Sequence, residues 1–309
     1  MIRALRRPPR LREGDRVAII APSSPAPREL IAAGEAVLES WGLDPVVMPG
    51  ALGTHPRLDY LPGDDGARAD EFEEAWADPG IAAVFSARGG YGSQRMLDHV
   101  DWKSLEEAEP KVYVGFSDAT ALHEAIAVRL GVASLHGPMP AWSTFIGEAA
   151  TREHLRRTLF EPETVRRLEP PTARALVPGR AEGVTFGGCL SLIASSVGSG
   201  EGRADGAGGI LLLEDLEEAG YRIDRCLTQL RRSGLLDGVA GIALGSWTDC
   251  GPEDEVRAVL ADRLGDLGVP IVENVGFGHC APSWTVPLGV PATLDADAGT
   301  LEFAVPPLR

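Results

Sequence analysis

From Arg16 onward, short apolar runs alternate with longer stretches in which apolar residues recur every three or four positions. Val17 to Ala21 has the composition of a buried strand, and the Pro22, Ser23, Ser24, Pro25 turn after it leads into a helical pattern reaching about Trp41. Pro45 to Met48, Ile81 to Ser86 and Lys111 to Gly115 repeat the strand signal. Asp70 to Trp76 and Asp118 to Leu130 repeat the helical one. Strands separated by helices require crossover connections, so the pattern predicts a parallel sheet. Residues 1–160 are expected to form an open, Rossmann-like α/β lobe.

Across residues 161–182 the periodicity stops. Pro162, Pro170, Pro171 and Pro178 interrupt the segment, which predicts a linker. A Gly187-Gly188 turn, a strand at Ile210 to Leu213 and an amphipathic helix at Ile223 to Ser233 follow. Strands are expected at Gly241 to Leu244 and Pro270 to Val272, and the tail from Trp284 to Val305 alternates short β runs with turns. Residues 183–309 are therefore expected to form a second α/β lobe with a β-rich end.

Composition narrows the class of protein. The chain has 309 residues, 44% hydrophobic and 24% charged, which is enough apolar material for a sizeable core. Its formal net charge of −16 repels phosphate backbones and anionic lipid, arguing against nucleic-acid and membrane partners. Arg3, Arg6, Arg7, Arg10 and Arg12 run against that balance and read as a solvated leader. The start lacks the apolar stretch of a secretory signal, and no run approaches the roughly 20 apolar residues that span a bilayer. Cys189, Cys226, Cys250 and Cys280 are widely spaced with no Cys-x-x-Cys pair. A reduced, cytoplasmic protein is the expectation. The histidines show no metal-ligand spacing, so neither metal nor cofactor is expected.

Candidate chemistry centres on Gly115-Phe116-Ser117-Asp118-Ala119, where a strand turns into a helix. A nucleophilic serine on such a turn needs small neighbours two residues before and after, and Gly115 and Ala119 meet that need. The backbone N–H of Asp118, at a helix N-terminus, suits an oxyanion. The same spacing also fits a serine or aspartate that caps the helix. Ala87-Arg88-Gly89-Gly90-Tyr91-Gly92 follows the third strand; its glycines let backbone approach a ligand, or make an ordinary tight turn.

Among six histidines, His279 lies in the Gly278-His279-Cys280-Ala281-Pro282 loop, where backbone positions the ring as a general base requires. His136, in Leu135-His136-Gly137-Pro138, is the runner-up. Leu213-Glu214-Asp215 ends a buried strand with two carboxylates, suited to orient an imidazole or to cap the next turn.

Taken in order, these motifs resemble the LD-carboxypeptidase family of serine peptidases, which includes the microcin C resistance peptidases. The resemblance runs from about Gly14 to Phe303. It also rests on Gly14-Asp15-Arg16-Val17-Ala18, Tyr221-Arg222-Ile223-Asp224-Arg225 and Thr285-Val286-Pro287-Leu288-Gly289. The resemblance implies a triad falling on Ser117, His279 and Glu214. It implies an oxyanion hole from the N–H groups of Asp118 and of Gly89 or Gly90, a homodimer, and a murein tetrapeptide substrate that loses its terminal D-alanine. Arg88 is a candidate partner for the substrate carboxylate, and Trp284 a candidate pocket aromatic. An aminoacyl-nucleotide substrate, or peptide binding without cleavage, are the alternatives.

Overall fold

The structure is a computed structural model describing residues 1–309. Its first sheet holds β1 (Arg16–Ile20), β2 (Asp44–Val47), β3 (Ile81–Ser86), β4 (Val112–Gly115) and β5 (Ser134–His136). These five are parallel, in the spatial order β5-β4-β3-β1-β2. Along β1, Ala18 and Ile20 pack into one cluster with Phe72 and Trp76, while Val17 and Ile19 pack into another with Leu38 and Phe85. Helices cover both faces, which is why these strands are apolar at successive positions instead of alternating.

The second sheet collects β6 (Arg167–Leu168), β7 (Arg174–Val177), β8 (Arg180–Cys189), β9 (Gly209–Leu216), β10 (Gly241–Thr248) and β11 (Ile271–Glu273). Strands β8 to β11 are parallel, and β7 closes one edge antiparallel to β11. The segment expected to be a linker thus supplies two short strands. Prolines are compatible with them because both stand at or next to sheet edges, where few ladder bonds are needed. Helix Gly220–Ser233 packs Ile223, Leu227 and Leu230 onto Leu211 and Leu213 of β9.

Two features tie the sheets together. After β11 the chain crosses over, and β12 (Val286–Leu288) pairs antiparallel with β5 as the last strand of the first sheet, Val286 opposite His136. It then returns to the second sheet as β13 (Pro291–Asp295) and β14 (Thr300–Phe303). The backbone of the arginine-rich start is likewise built in, while Arg3, Arg6 and Arg12 stay exposed as expected. The Ile2 N–H donates to Ala207, the Leu5 N–H to Gly289, and Arg6 and Arg7 side chains donate to the carbonyls of Leu130 and Pro306. Guanidinium groups here satisfy a carbonyl at a helix end and one in the last residues of the chain. No helix is long and apolar enough to cross a membrane.

Candidate active site

β4 ends at Gly115, Phe116 is extended, and Ser117 takes a left-handed φ of 61°. A non-glycine residue at such an angle is strained, and the strain persists because its surroundings fix it. A Cβ on residue 115 would lie 2.7 Å from the Ala119 Cβ, so only glycine lets the turn close. Asp118 points into the protein. Its carboxylate accepts from Ser23 Oγ at 2.6 Å and the Ser93 N–H at 2.8 Å, while its carbonyl accepts from Ser93 Oγ at 2.6 Å. The loop after β1, the glycine-rich loop after β3 and the serine turn are pinned by one residue.

His123 supports the same turn from below. Its Nε2 lies 2.8 Å from the Gly115 carbonyl and its Nδ1 2.7 Å from Ser134 Oγ. A carbonyl can only accept, so the proton sits on Nε2. Burial drops this imidazole to a pKa of about 3, leaving it neutral and structural. Above the turn, a Cβ on Gly89 would lie 2.8 Å from Ser117 Oγ and 3.6 Å from the Asp118 nitrogen. Backbone at residue 89 therefore lies directly against the hydroxyl.

The second half of the site comes from the second sheet. Glu214, fully buried near the end of β9, brings Oε2 to 2.7 Å from Nδ1 of His279. The carboxylate accepts, so Nδ1 carries the proton and Nε2 is left as the basic nitrogen. A Cβ on residue 278, whose φ is 94°, would sit 2.4 Å from Glu214 Oε2; glycine there permits the contact. Thr248 Oγ1 donates to the His279 carbonyl and holds the loop. Burial alone would raise the Glu214 pKa, yet the charge of His279 and hydrogen bonding hold it at about 2. His136 Nε2 lies 3.7 Å from Oε1, longer than a hydrogen bond, so most of that lowering falls to His279. Burial lowers the His279 pKa, but the charge and hydrogen bond of Glu214 overcome it and the net shift is upward.

Ser117 and His279 face one open cleft of about 530 Å³, with Arg88, Gly89, Gly90 and Trp142 in its walls. No hydrogen bond joins Ser117 to His279, but Phe116, which precedes Ser117, packs its ring 4.7 Å from that of His279. Asp215, Glu217 and Glu218 make the opposite wall acidic. Burial and the neighbouring Glu214 charge raise the Asp215 pKa, and its carboxylate accepts from the N–H groups of Ser191 and Leu216.

The sequence profiles of the LD-carboxypeptidase N-terminal and C-terminal domains match residues 17–137 and 182–294. A putative carboxypeptidase of Streptomyces coelicolor is 57% identical over 307 residues, covering 99% of both chains. The chain belongs to the LD-carboxypeptidase family. The murein tetrapeptide carboxypeptidase of Pseudomonas aeruginosa is 34% identical over 295 residues, covering 91% of this chain and 94% of that protein. The solved structure of the microcin C7 self-immunity protein superposes with a TM-score of 0.86 at 25% identity, covering 98% of this chain and 99% of that one. This member of the LD-carboxypeptidase family is a serine-type carboxypeptidase, a hydrolase.

In this LD-carboxypeptidase fold, Ser117, Asp118, Gly89 and Gly90 come from the first sheet and Glu214 and His279 from the second, around one cleft. Arg88 is half-buried in the cleft wall, with only a 3.4 Å contact to the Pro25 carbonyl and no carboxylate partner. Trp284 is elsewhere. Its N–H donates to the Gly276 carbonyl and its ring packs 5.2 Å from His154, in a separate recess beside Cys280 and Pro282. The aromatics in the cleft are Trp142 and Phe116, their tilted rings 4.8 Å apart. Sequence reasoning passed over Cys189 and Ser191 in the cleft wall. Their one signal was position, just after the Gly187-Gly188 pair near the end of β8.

Proposed function

We propose that this carboxypeptidase hydrolyses the amide joining an L-configured centre to the terminal D-alanine of a cytoplasmic murein tetrapeptide, in cell-wall recycling. Ser117 is the nucleophile, His279 the base and Glu214 its orienting partner. The observation that carries the reading is the Glu214–His279 contact of 2.7 Å, opening on the cleft that also holds the strained Ser117.

His279 Nε2 removes the Ser117 hydroxyl proton as Oγ attacks the scissile carbonyl. Negative charge gathers on the carbonyl oxygen, against the N–H of Asp118 and that of Gly89 or Gly90; one such donor is worth about 3 kcal/mol. The imidazolium is stabilised by Glu214 and then protonates the amine of the departing D-alanine. Water, deprotonated by His279, releases the acyl group from Ser117. The Ser117–His279 hydrogen bond forms when substrate fills the cleft, as catalytic hydrogen bonds commonly tighten in the complex. Arg88, free of any acidic partner, takes the terminal carboxylate that distinguishes a carboxypeptidase substrate. Two copies of the chain acting as a homodimer belong to the same reading, and light scattering tests that part.

A second reading has its own support. Trp142 offers a ring face within the cleft, which suits stacking on the base of an aminoacyl-nucleotide. The same serine chemistry would cleave that amide.

Mass spectrometry of the protein incubated with murein tetrapeptide, beside Ser117→Ala, tests the first reading. Release of D-alanine by the wild type alone is expected. Release by both proteins removes Ser117 from its role. Release by neither, with cleavage of an aminoacyl sulfamoyl nucleoside, transfers the case to the second reading.

A further inference from the structure

Buried polar atoms are paired in all but a few instances, so unpaired ones call for an account. Three such atoms cluster behind the cleft: Oε1 of Glu214 and both ring nitrogens of His136. Glu214 is 0% and His136 1% exposed, and Nε2 of His136 lies 3.7 Å from Oε1. A water bridging the two at about 2.8 Å each would be bent to roughly 80°, well below its tetrahedral preference, so a direct bond is the better account. Closing it by roughly 0.9 Å makes an ordinary direct hydrogen bond.

The position of His136 in the fold gives this contact its meaning. His136 ends β5, beside Gly115 of the serine-bearing strand β4 and opposite Val286 of the crossing strand β12. Glu214 belongs to the other sheet. The ring is enclosed by Phe116 at 5.8 Å, Phe277 at 5.5 Å and the neutral His123 at 6.3 Å. Phe116 precedes Ser117, and Phe277 stands two residues before His279. His136 is 1% exposed and stands behind the residues that line the cleft. What it can reach is the carboxylate oxygen that His279 leaves free. A buried carboxylate with a donor on one oxygen only is poorly compensated, and it is free to turn.

We infer that His136 is a positioning residue: its Nε2–H donates to Oε1 of Glu214, fixing the carboxylate so that Oε2 meets His279, and tying the Glu–His pair to the strand next to Ser117. The inference rests on the triad reading above and deepens it.

Two measurements test it. Nitrogen-15 NMR of histidine-labelled wild-type protein reads the tautomer directly, with no substrate and no variant. A proton on Nε2 of His136 is expected, and a ring protonated on Nδ1 alone overturns the inference. Kinetics of His136→Gln and His136→Phe give the functional side. The Gln amide reaches Glu214 as a donor, whereas the phenyl ring fills the same space without one. Phe is expected to lower kcat roughly 10- to 100-fold, as loss of an orienting partner does elsewhere, with KM within about threefold and Gln restoring most of the rate. A folded Phe variant with wild-type kcat, or Gln no better than Phe, refutes the role. The rate of Ser117 labelling by a fluorophosphonate is followed alongside. Wild-type protein inert to the probe sinks the triad reading itself, whichever tautomer His136 holds.

Discussion

The His279 Nδ1 lies 2.7 Å from Glu214 Oε2, and this contact sets the protonation of both residues in opposite directions. Burial acts on each first, raising Glu214 and lowering His279, and in each case the partner's charge overturns it. A base must be deprotonated to act, so the rising limb of kcat/KM against pH is expected above the ordinary histidine value of 6.5. Glu214→Gln removes the largest of the charges that raise His279 and leaves burial, which lowers it, against the weaker pull of Asp215 and Glu217. The limb should then move to lower pH while kcat falls by roughly 10²- to 10⁴-fold. Rate profiles of the two proteins between about pH 5 and 9 check this, and a limb that stays in place refutes the assignment.

The same pair makes stability depend on pH. Glu214, lowered to about 2, contributes stability that is present above its ordinary 4.5 and lost as pH falls through the folded value. His279, raised above 6.5, contributes stability present below 6.5 and lost as pH rises through its folded pKa. The two windows overlap between 4.5 and 6.5. Melting temperatures of wild type and Glu214→Gln should differ most in that interval and converge on either side. A difference that is flat across the range would mean that the pair is not ionised in the folded protein.

Backbone strain at Ser117 gives a comparison between two inactive variants. Both Ser117→Ala and Ser117→Gly remove Oγ, so both should abolish turnover and fluorophosphonate labelling. Only glycine adopts a φ of 61° without a Cβ penalty. The left-handed conformation costs other residues about 1 kcal/mol, so the glycine variant should be the more stable by about that amount in urea denaturation. Equal stability would mean that the turn relaxes when the hydroxyl is lost.

Much of this geometry was legible in the chain because it is local. The strand before Ser117 announces itself by Val112, Val114 and the small residues at 115 and 119, whose spacing the tight turn dictates. Buried parallel strands read as continuous apolar runs, and β1, β3, β4 and β9 were visible for that reason. Long-range pairing left no such trace. Nothing in Val286-Pro287-Leu288 says that its partner is β5, 150 residues earlier in the pattern of the chain, and β6 and β7 are too short to show a period among prolines. Among the leading arginines, Arg6 and Arg7 gave no sign of being anchored because their partners are carbonyls, which carry no side-chain signature. Trp284 and Trp142 were equivalent as sequence; only the Gly276 contact turns one away from the cleft.

Arg88 offers the sharpest test of substrate class. Its guanidinium stands in the cleft wall with no acidic partner, so removing it strands no buried carboxylate and should leave the fold intact. A charge-assisted hydrogen bond to a terminal carboxylate contributes about 1.5 to 3 kcal/mol, which is roughly a 10- to 150-fold change in binding. Arg88→Ala is therefore expected to raise KM for the tetrapeptide on that scale, with kcat much less affected. A tetrapeptide ending in a carboxamide should bind the wild type as weakly as the acid binds Arg88→Ala, and should lose little further in the variant. Steady-state kinetics on the four combinations separates the pair from its parts. If the amide and the acid are discriminated equally by wild type and variant, Arg88 does not read the carboxylate, and the acidic wall of Asp215, Glu217 and Glu218 becomes the surface whose charge must instead be matched by the substrate.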